Sequence, residues 1–344
     1  MNISNNLTAP CLLIVAMLVL ILFQSVFFNI SDIIYAEPEA TGQTEATEEF
    51  EDFQELPDTD GKYIIFNNIK YKPDRFFMLA VISNICAFLL PAVFYVKLKG
   101  TGYSKNLKFA LPKLKYLSLA LYMFIVLISG TVLINSLMFF AGSAEVNPES
   151  VLPFMIYTGG NPVYDMGVLI SFVILPAVCE EFFYRSALSA EYEKYGAFCA
   201  VMITSAAFAM SHFSLKFFPS YFFAAIIFYI IAKITDSVLF SVILHAGYNF
   251  YSIYLWDKLS GALKFEQNRF IFIFIAAIIF MVFVMFVLNA LESIYYNKAY
   301  RNEPSPVNLP ENKHKNAVII RLFKSLLSPT FIAATVIFVI YINT

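Results

Sequence analysis

Two adjacent carboxylates, Glu180 and Glu181, close an apolar stretch that begins at Val163 and contains Ile170, Phe172, Val173, Ile174, Leu175 and Val178, and Arg185 follows within a turn. An ionisable group inside a membrane costs several kcal/mol unless it is paired or sits in a wet cavity, so residues of this kind are functional candidates. The plain alternative is a helix end, where charges are cheap and an arginine reaches back to the headgroups. Two more polar turns interrupt apolar helices, Phe208-Ala209-Met210-Ser211-His212 and His245-Ala246-Gly247-Tyr248-Asn249; the remaining histidine, His314, lies in a polar tail. A spacing of four puts Glu181 with Arg185, Phe208 with His212, and His245 with Asn249 on shared helix faces. Singly, a packing histidine or an asparagine bonding between helices explains each. Together, two carboxylates, two histidines and an amide on three helices supply a general base, imidazole donors or ligands, and an amide donor. Those are the groups that polarise water and stabilise an oxyanion.

The elements that must position them are membrane spans. The chain has 344 residues, 59% hydrophobic and 14% charged, with mean hydropathy +0.70; soluble domains carry about 25% charged residues. The expected fold is all-α, a polytopic bundle of eight to nine transmembrane helices in an integral membrane protein. A net charge of −2 implies no nucleic-acid partner. The 38 Phe and 21 Tyr fit lipid-facing surfaces and interfacial belts. Cys11, Cys86, Cys179 and Cys199 show neither metal-ligand spacing nor a pairing pattern and read as buried thiols. Cys179 abuts Glu180, but a nucleophile needs an activating base in suitable geometry.

Residues 1–34 carry a first apolar run with no basic residue ahead of it, which favours an uncleaved anchor over a removed signal. Residues 35–75 form an acidic extracytoplasmic loop, polar from Glu37 to Asp60, with a hairpin pattern at Tyr63-Ile64-Ile65-Phe66, Asn67-Asn68 and Ile69-Lys70-Tyr71. Residues 76–162 hold the second span, where Pro91 predicts a kink or an early end, and the third span, from about Tyr116 to Phe140. Between them Lys97, Lys99, Lys105, Lys108, Lys113 and Lys115 mark a cytoplasmic loop. Residues 163–256 hold the fourth to seventh spans and every polar turn above. Residues 257–344 hold an eighth span, a proline-containing linker with Lys298, Arg301, Lys313, Lys315, Arg321 and Lys324, and a short ninth run interrupted by Pro329. Depth gives a conflict: Glu180 lies about 13 Å and His245 about 12 Å from the inner ends of their spans, whereas His212 lies about 24 Å from Gly196. A tilted fifth helix or a dipping connection reconciles them.

The order E-E-x-x-x-R, F-x-x-x-H, H-x-x-x-N over about residues 163–256 resembles the CPBP family of intramembrane proteases. That family includes CAAX prenyl endopeptidases and bacterial proteins linked to bacteriocin processing or self-immunity. The resemblance implies a peptide or protein substrate met within membrane lipid. It implies that Glu180 activates the attacking water with His212 holding it, that Glu181 pairs with Arg185, and that His245 and Asn249 stabilise the oxyanion. It leaves open whether a divalent metal, zinc, sits among Glu180, His212 and His245. A carboxylate and two imidazoles can hold zinc with an open position for water, and a desolvated glutamate can act without it. Two other classes stay in view: a proton-coupled transporter, because intramembrane Glu and His also make proton relays, and a non-catalytic immunity or scaffold protein.

Overall fold

The structure, a computed structural model, describes residues 11–23, 25, 64–66, 69–71, 73–100, 110–140, 154–155, 162–255, 266–302 and 315–342. Its helices are α1 (Cys11–Phe23), α2 (Phe77–Lys99), α3 (Leu114–Met138), α4 (Pro162–Tyr195), α5 (Ala197–Met210), α6 (Phe218–Thr235), α7 (Val238–Leu255) and α8 (Phe270–Tyr300), then α9 (Lys315–Leu326) and α10 (Pro329–Tyr341). The protein is a helical, integral membrane bundle, as the composition requires. Among the described residues 6 helices are long and apolar enough to cross a membrane, or up to 7 if α9 and α10 form one bent span. The expected eight to nine spans are not reached by length. One reason is α5, whose 14 residues extend about 21 Å against a hydrocarbon core of about 30 Å. It is a core helix instead, with Cys199, Ala200, Ile203 and Ala207 fully buried. Residues 26–34 of the first expected span, Glu37–Asp60, Lys105, Lys108, most of the loop before Pro162, the prolines at 304, 306 and 310, and His314 lie outside the described residues.

Proline shapes the two helices that flank the polar turn. Pro91 and Pro176 each stand in the first turn of an α-helical stretch, and each follows a π-helical segment, Ile85–Leu89 and Leu169–Ile174. A proline removes one backbone donor and its ring collides with the carbonyl four residues back. A wider preceding turn takes up that collision. Pro91 therefore neither ends nor breaks α2, which runs on to Lys99. A further π-helical segment, Phe182–Leu188, follows directly on Glu181. Glu180 and Glu181 thus ride on a short α-helical stretch, Leu175–Glu181, between two wide turns.

Within the bundle α6 packs on α3, α5 and α7, and α4 packs on α2 and α7. The outer helix α8 lies against α3 and turns Phe270, Phe274, Met281, Met285 and Leu288 outward. Buried hydroxyls of Ser129, Thr131, Ser136, Thr204 and Thr235 donate to carbonyls four residues back, which satisfies them inside their own helices. Close approach of α7 to α3 needs Gly247, because a Cβ there would stand 2.9 Å from the Phe124 ring. Connections are short. Gly196, at φ +108, reverses the chain between α4 and α5. Asp236 adopts the left-handed conformation between α6 and α7, and the Ser237 hydroxyl donates to the Ala110 carbonyl at 2.6 Å. At this end Glu191 bonds Lys99 at 2.9 Å and Lys194 at 2.8 Å, and Lys233 pairs with Glu193, so α2, α4 and α6 are tied together where the lysines lie.

Strands β1 (Ile64–Phe66) and β2 (Ile69–Tyr71) pair antiparallel with Phe66 opposite Ile69, which is the expected hairpin about Asn67-Asn68; β3 (Phe154–Met155) adds to the other edge of β1. The cysteine expectation needs correction. Cys179 and Cys199 are buried, but Cys11 is exposed and Cys86 half-buried. In a membrane protein an apolar sequence neighbourhood signifies lipid as readily as protein interior.

Candidate active site

The geometry starts from Glu181, which is fully buried. A carboxylate so placed needs partners that replace water, and two of them come from different parts of the chain, with Ser241 beside them. Arg185 Nε donates to Oε2 at 3.0 Å, one turn along α4. His245 Nδ1 stands 3.1 Å from Oε1, brought by α7 from 64 residues away. The Arg185 guanidinium lies among three rings, 5.8 Å from Tyr184, 5.4 Å from Phe208 and 5.9 Å from Phe228, where the π faces favour a cation. Pairing of Glu181 with Arg185 matches the expectation. The His245 contact was not expected, and spacing within one helix gives no signal for it.

Phe208 is the hub on α5. Its ring meets Tyr184 at 5.2 Å, His212 at 4.8 Å and His245 at 5.5 Å between centroids. Its carbonyl faces His212 Nδ1 at 2.9 Å. A carbonyl only accepts, so Nδ1 carries the proton and, in the neutral ring, Nε2 keeps its lone pair. Two side chains of α6 clamp the imidazoles: Tyr221 stacks on His212 at 4.0 Å and Phe228 stacks on His245 at 4.7 Å. Tyr221, Ala225 and Phe228 recur at helical spacing, a signal present in the sequence but masked by its abundance of aromatics.

Glu180 is also buried, and its Oε2 has no protein partner among the described residues. It lies within electrostatic range of His245, Glu181 and Arg185. Asn249 stands at the rim, where its Nδ2 reaches the Val173 carbonyl at 3.5 Å, the outer limit of a hydrogen bond. So the turn of α4, His212 and His245 gather about Phe208, while Asn249 faces α4 nearer its start.

The depth conflict passes from His212 to His245, which contact with Glu181 places in the site although it lies only about 12 Å along α7 from its inner end. Helix α4 continues to Tyr195 rather than stopping near Ser189. Glu180 is then about 15 residues from that end, about 22 Å, close to the distance of about 24 Å that separates His212 from Gly196.

A metal was one alternative for this site. Among the described residues no group of three His, Cys, Asp or Glu side chains is placed to hold an ion. Nδ1 of His212 and Nδ1 of His245 are already engaged, by a carbonyl and by Glu181. Each ring keeps Nε2 as the nitrogen that a metal would take.

Comparison with curated proteins and with solved structures found no match. Comparison with family models found a match to "Type II CAAX prenyl endopeptidase Rce1-like" over residues 162–251. That stretch starts with α4 and takes in α5 and α6, ending within α7 past Asn249, so it holds every residue of the site. Residues 162–251 of this chain thus match the model of the type II CAAX prenyl endopeptidase Rce1-like family, a family of CAAX-type intramembrane proteases.

Proposed function

We propose that the protein is an intramembrane endopeptidase in which Glu180 and His212 activate one water against a peptide carbonyl. The observation that carries this reading is the junction of α4, α5 and α7 at Phe208, which brings two oriented imidazoles to a turn bearing a buried carboxylate whose Oε2 has no protein partner among the described residues. In the proposed reaction, Glu180 takes a proton from water while the lone pair on His212 Nε2 accepts the water's other hydrogen. The hydroxide adds to the carbonyl carbon. His245, held at Nδ1 by Glu181 and protonated at Nε2, donates to the oxyanion together with Asn249. Glu180 then returns its proton to the departing amine, the C–N bond breaks, and the new carboxylic acid gives its proton to the amine, so that a carboxylate and an ammonium leave. Arg185 keeps Glu181 charged and in place. No step passes through a metal.

The substrate is a peptide segment that reaches Glu180 and His212 within the membrane. The test is cleavage in 18O-labelled water by the purified protein in nanodiscs, using membrane-tethered peptides as substrate. One labelled oxygen in the new carboxylate, with loss of product in His212→Ala and His245→Ala, is the expected result. Cleavage at the parent rate by either variant would overturn the assignment.

A further inference from the structure

We propose that α9 is an interfacial helix that docks on anionic phospholipid headgroups at the basic end of the bundle. Ser328 fixes its geometry. The Ser328 hydroxyl accepts from the Phe331 amide at 3.3 Å, capping α10, and Pro329 starts that helix. Consequently α9 turns away from α10 by 60° and lies across the end of the bundle rather than extending the span.

Three faces can be read around it. Leu322 and Leu326 pack on the protein core, and Ser325 comes within 3.9 Å of Cys199 at the start of α5. The next face carries Ile319, Ile320 and Phe323, continued by Leu327, each more than half exposed. Beyond it Arg321 and Lys324 project, both exposed. A helix with protein on one side, large apolar side chains on a second and cations on a third matches the boundary between acyl chains and headgroups.

The end it occupies is the cationic one. Neighbouring α4 bears Lys194, and α2 and α6 end in Lys99 and Lys233; Glu191 and Glu193 pair with these three lysines and leave one positive charge in excess, to which Arg321 and Lys324 add two. Clusters of lysine and arginine attract an anionic leaflet, with each basic residue near the surface adding to the preference. Arg321 and Lys324 also lie beside the apolar side chains that would hold the helix at acyl depth. The occupant of this face is therefore a negatively charged phospholipid, not a second protein.

The test places one tryptophan on the face. In a Trp256→Phe background, Phe323→Trp protein is reconstituted in zwitterionic phosphatidylcholine. Brominated phosphatidylglycerol or brominated phosphatidylcholine is then titrated in. The expected result is half-quenching at a mole fraction lower for the anionic lipid by on the order of tenfold, with the two curves coinciding in Arg321→Gln/Lys324→Gln protein. Leu327→Trp reports the same face should Phe323→Trp fail to fold. Coincident curves in the parent overturn the charge recognition, and an absence of quenching by either lipid shows a protein partner on the face and overturns the proposal altogether.

Discussion

Replacing Glu181 by glutamine probes the electrostatic frame of the site most sharply. The amide keeps the shape of the side chain and one acceptor oxygen, but it removes the charge and puts an NH2 donor where an acceptor stood. If the oxygen stays on Arg185 Nε, the NH2 meets the His245 Nδ1 proton; if it turns to His245, the NH2 meets the guanidinium. Neither orientation satisfies both partners, whose distances to Glu181 are 3.0 Å and 3.1 Å. The side chains of Glu181 and Arg185 are 0% and 1% exposed, so Arg185 is left as a buried cation without its bonded counter-charge, a loss of roughly 3–5 kcal/mol. Glu181→Gln/Arg185→Met removes both charges at similar volume and should recover about 2–3 kcal/mol of that loss. Activity should not recover, because His245 is still unheld. The assay is thermal unfolding followed with a thiol-reactive dye, with Cys11 and Cys86 replaced by alanine so that buried Cys179 and Cys199 report. A single variant as stable as the parent, or a double variant no better than the single, would refute the reasoning.

Other substitutions separate chemistry from packing. Tyr221→Phe preserves the ring stacked on His212 and should retain kcat within about threefold, whereas Tyr221→Leu, which frees the imidazole, should lower kcat by on the order of tenfold or more with KM little changed; a peptide-cleavage assay decides. Gly247→Val should destabilise the bundle by about 1–3 kcal/mol through collision with Phe124, read as a lower unfolding temperature, and a companion Phe124→Ala should relieve part of it. Dialysis against a strong chelator should leave cleavage unchanged, with elemental analysis showing far less than one zinc per chain, since no group of three donors among the described residues is placed to hold an ion. Asn249→Ala should reduce kcat/KM by on the order of a hundredfold while leaving the unfolding temperature in place, consistent with loss of one oxyanion donor.

Much of this was legible in the sequence because membrane proteins separate polar from apolar residues so strongly. Spans announced themselves by length, and the three polar turns stood out as the costly exceptions. The hairpin at Asn67-Asn68 could be read from its turn residues, whereas the added strand Phe154–Met155 could not, since two residues carry no period. Helix α5 read as a span because an apolar helix wrapped in protein and one wrapped in lipid have the same composition. Pro91 and Pro176 gave the positions of disturbance but not its form, as the choice between a kink and a widened turn depends on what packs around the helix. At the site, pairs four residues apart were readable and contacts across helices were not. Glu181 to Arg185 belongs to the first kind; Glu181 to His245, and the rings of Tyr221 and Phe228 on the two histidines, belong to the second.

The most direct measurement is the single-turnover cleavage rate of Glu180→Gln protein in nanodiscs, set beside its unfolding temperature. Glu180 has no hydrogen-bonded protein partner at Oε2 among the described residues, so the amide should fold as well as the acid. The account predicts an unchanged unfolding temperature and a cleavage rate lower by roughly a hundredfold to ten-thousandfold, the range that general-base loss produces. A well-folded glutamine variant that cleaves as fast as the parent would contradict it.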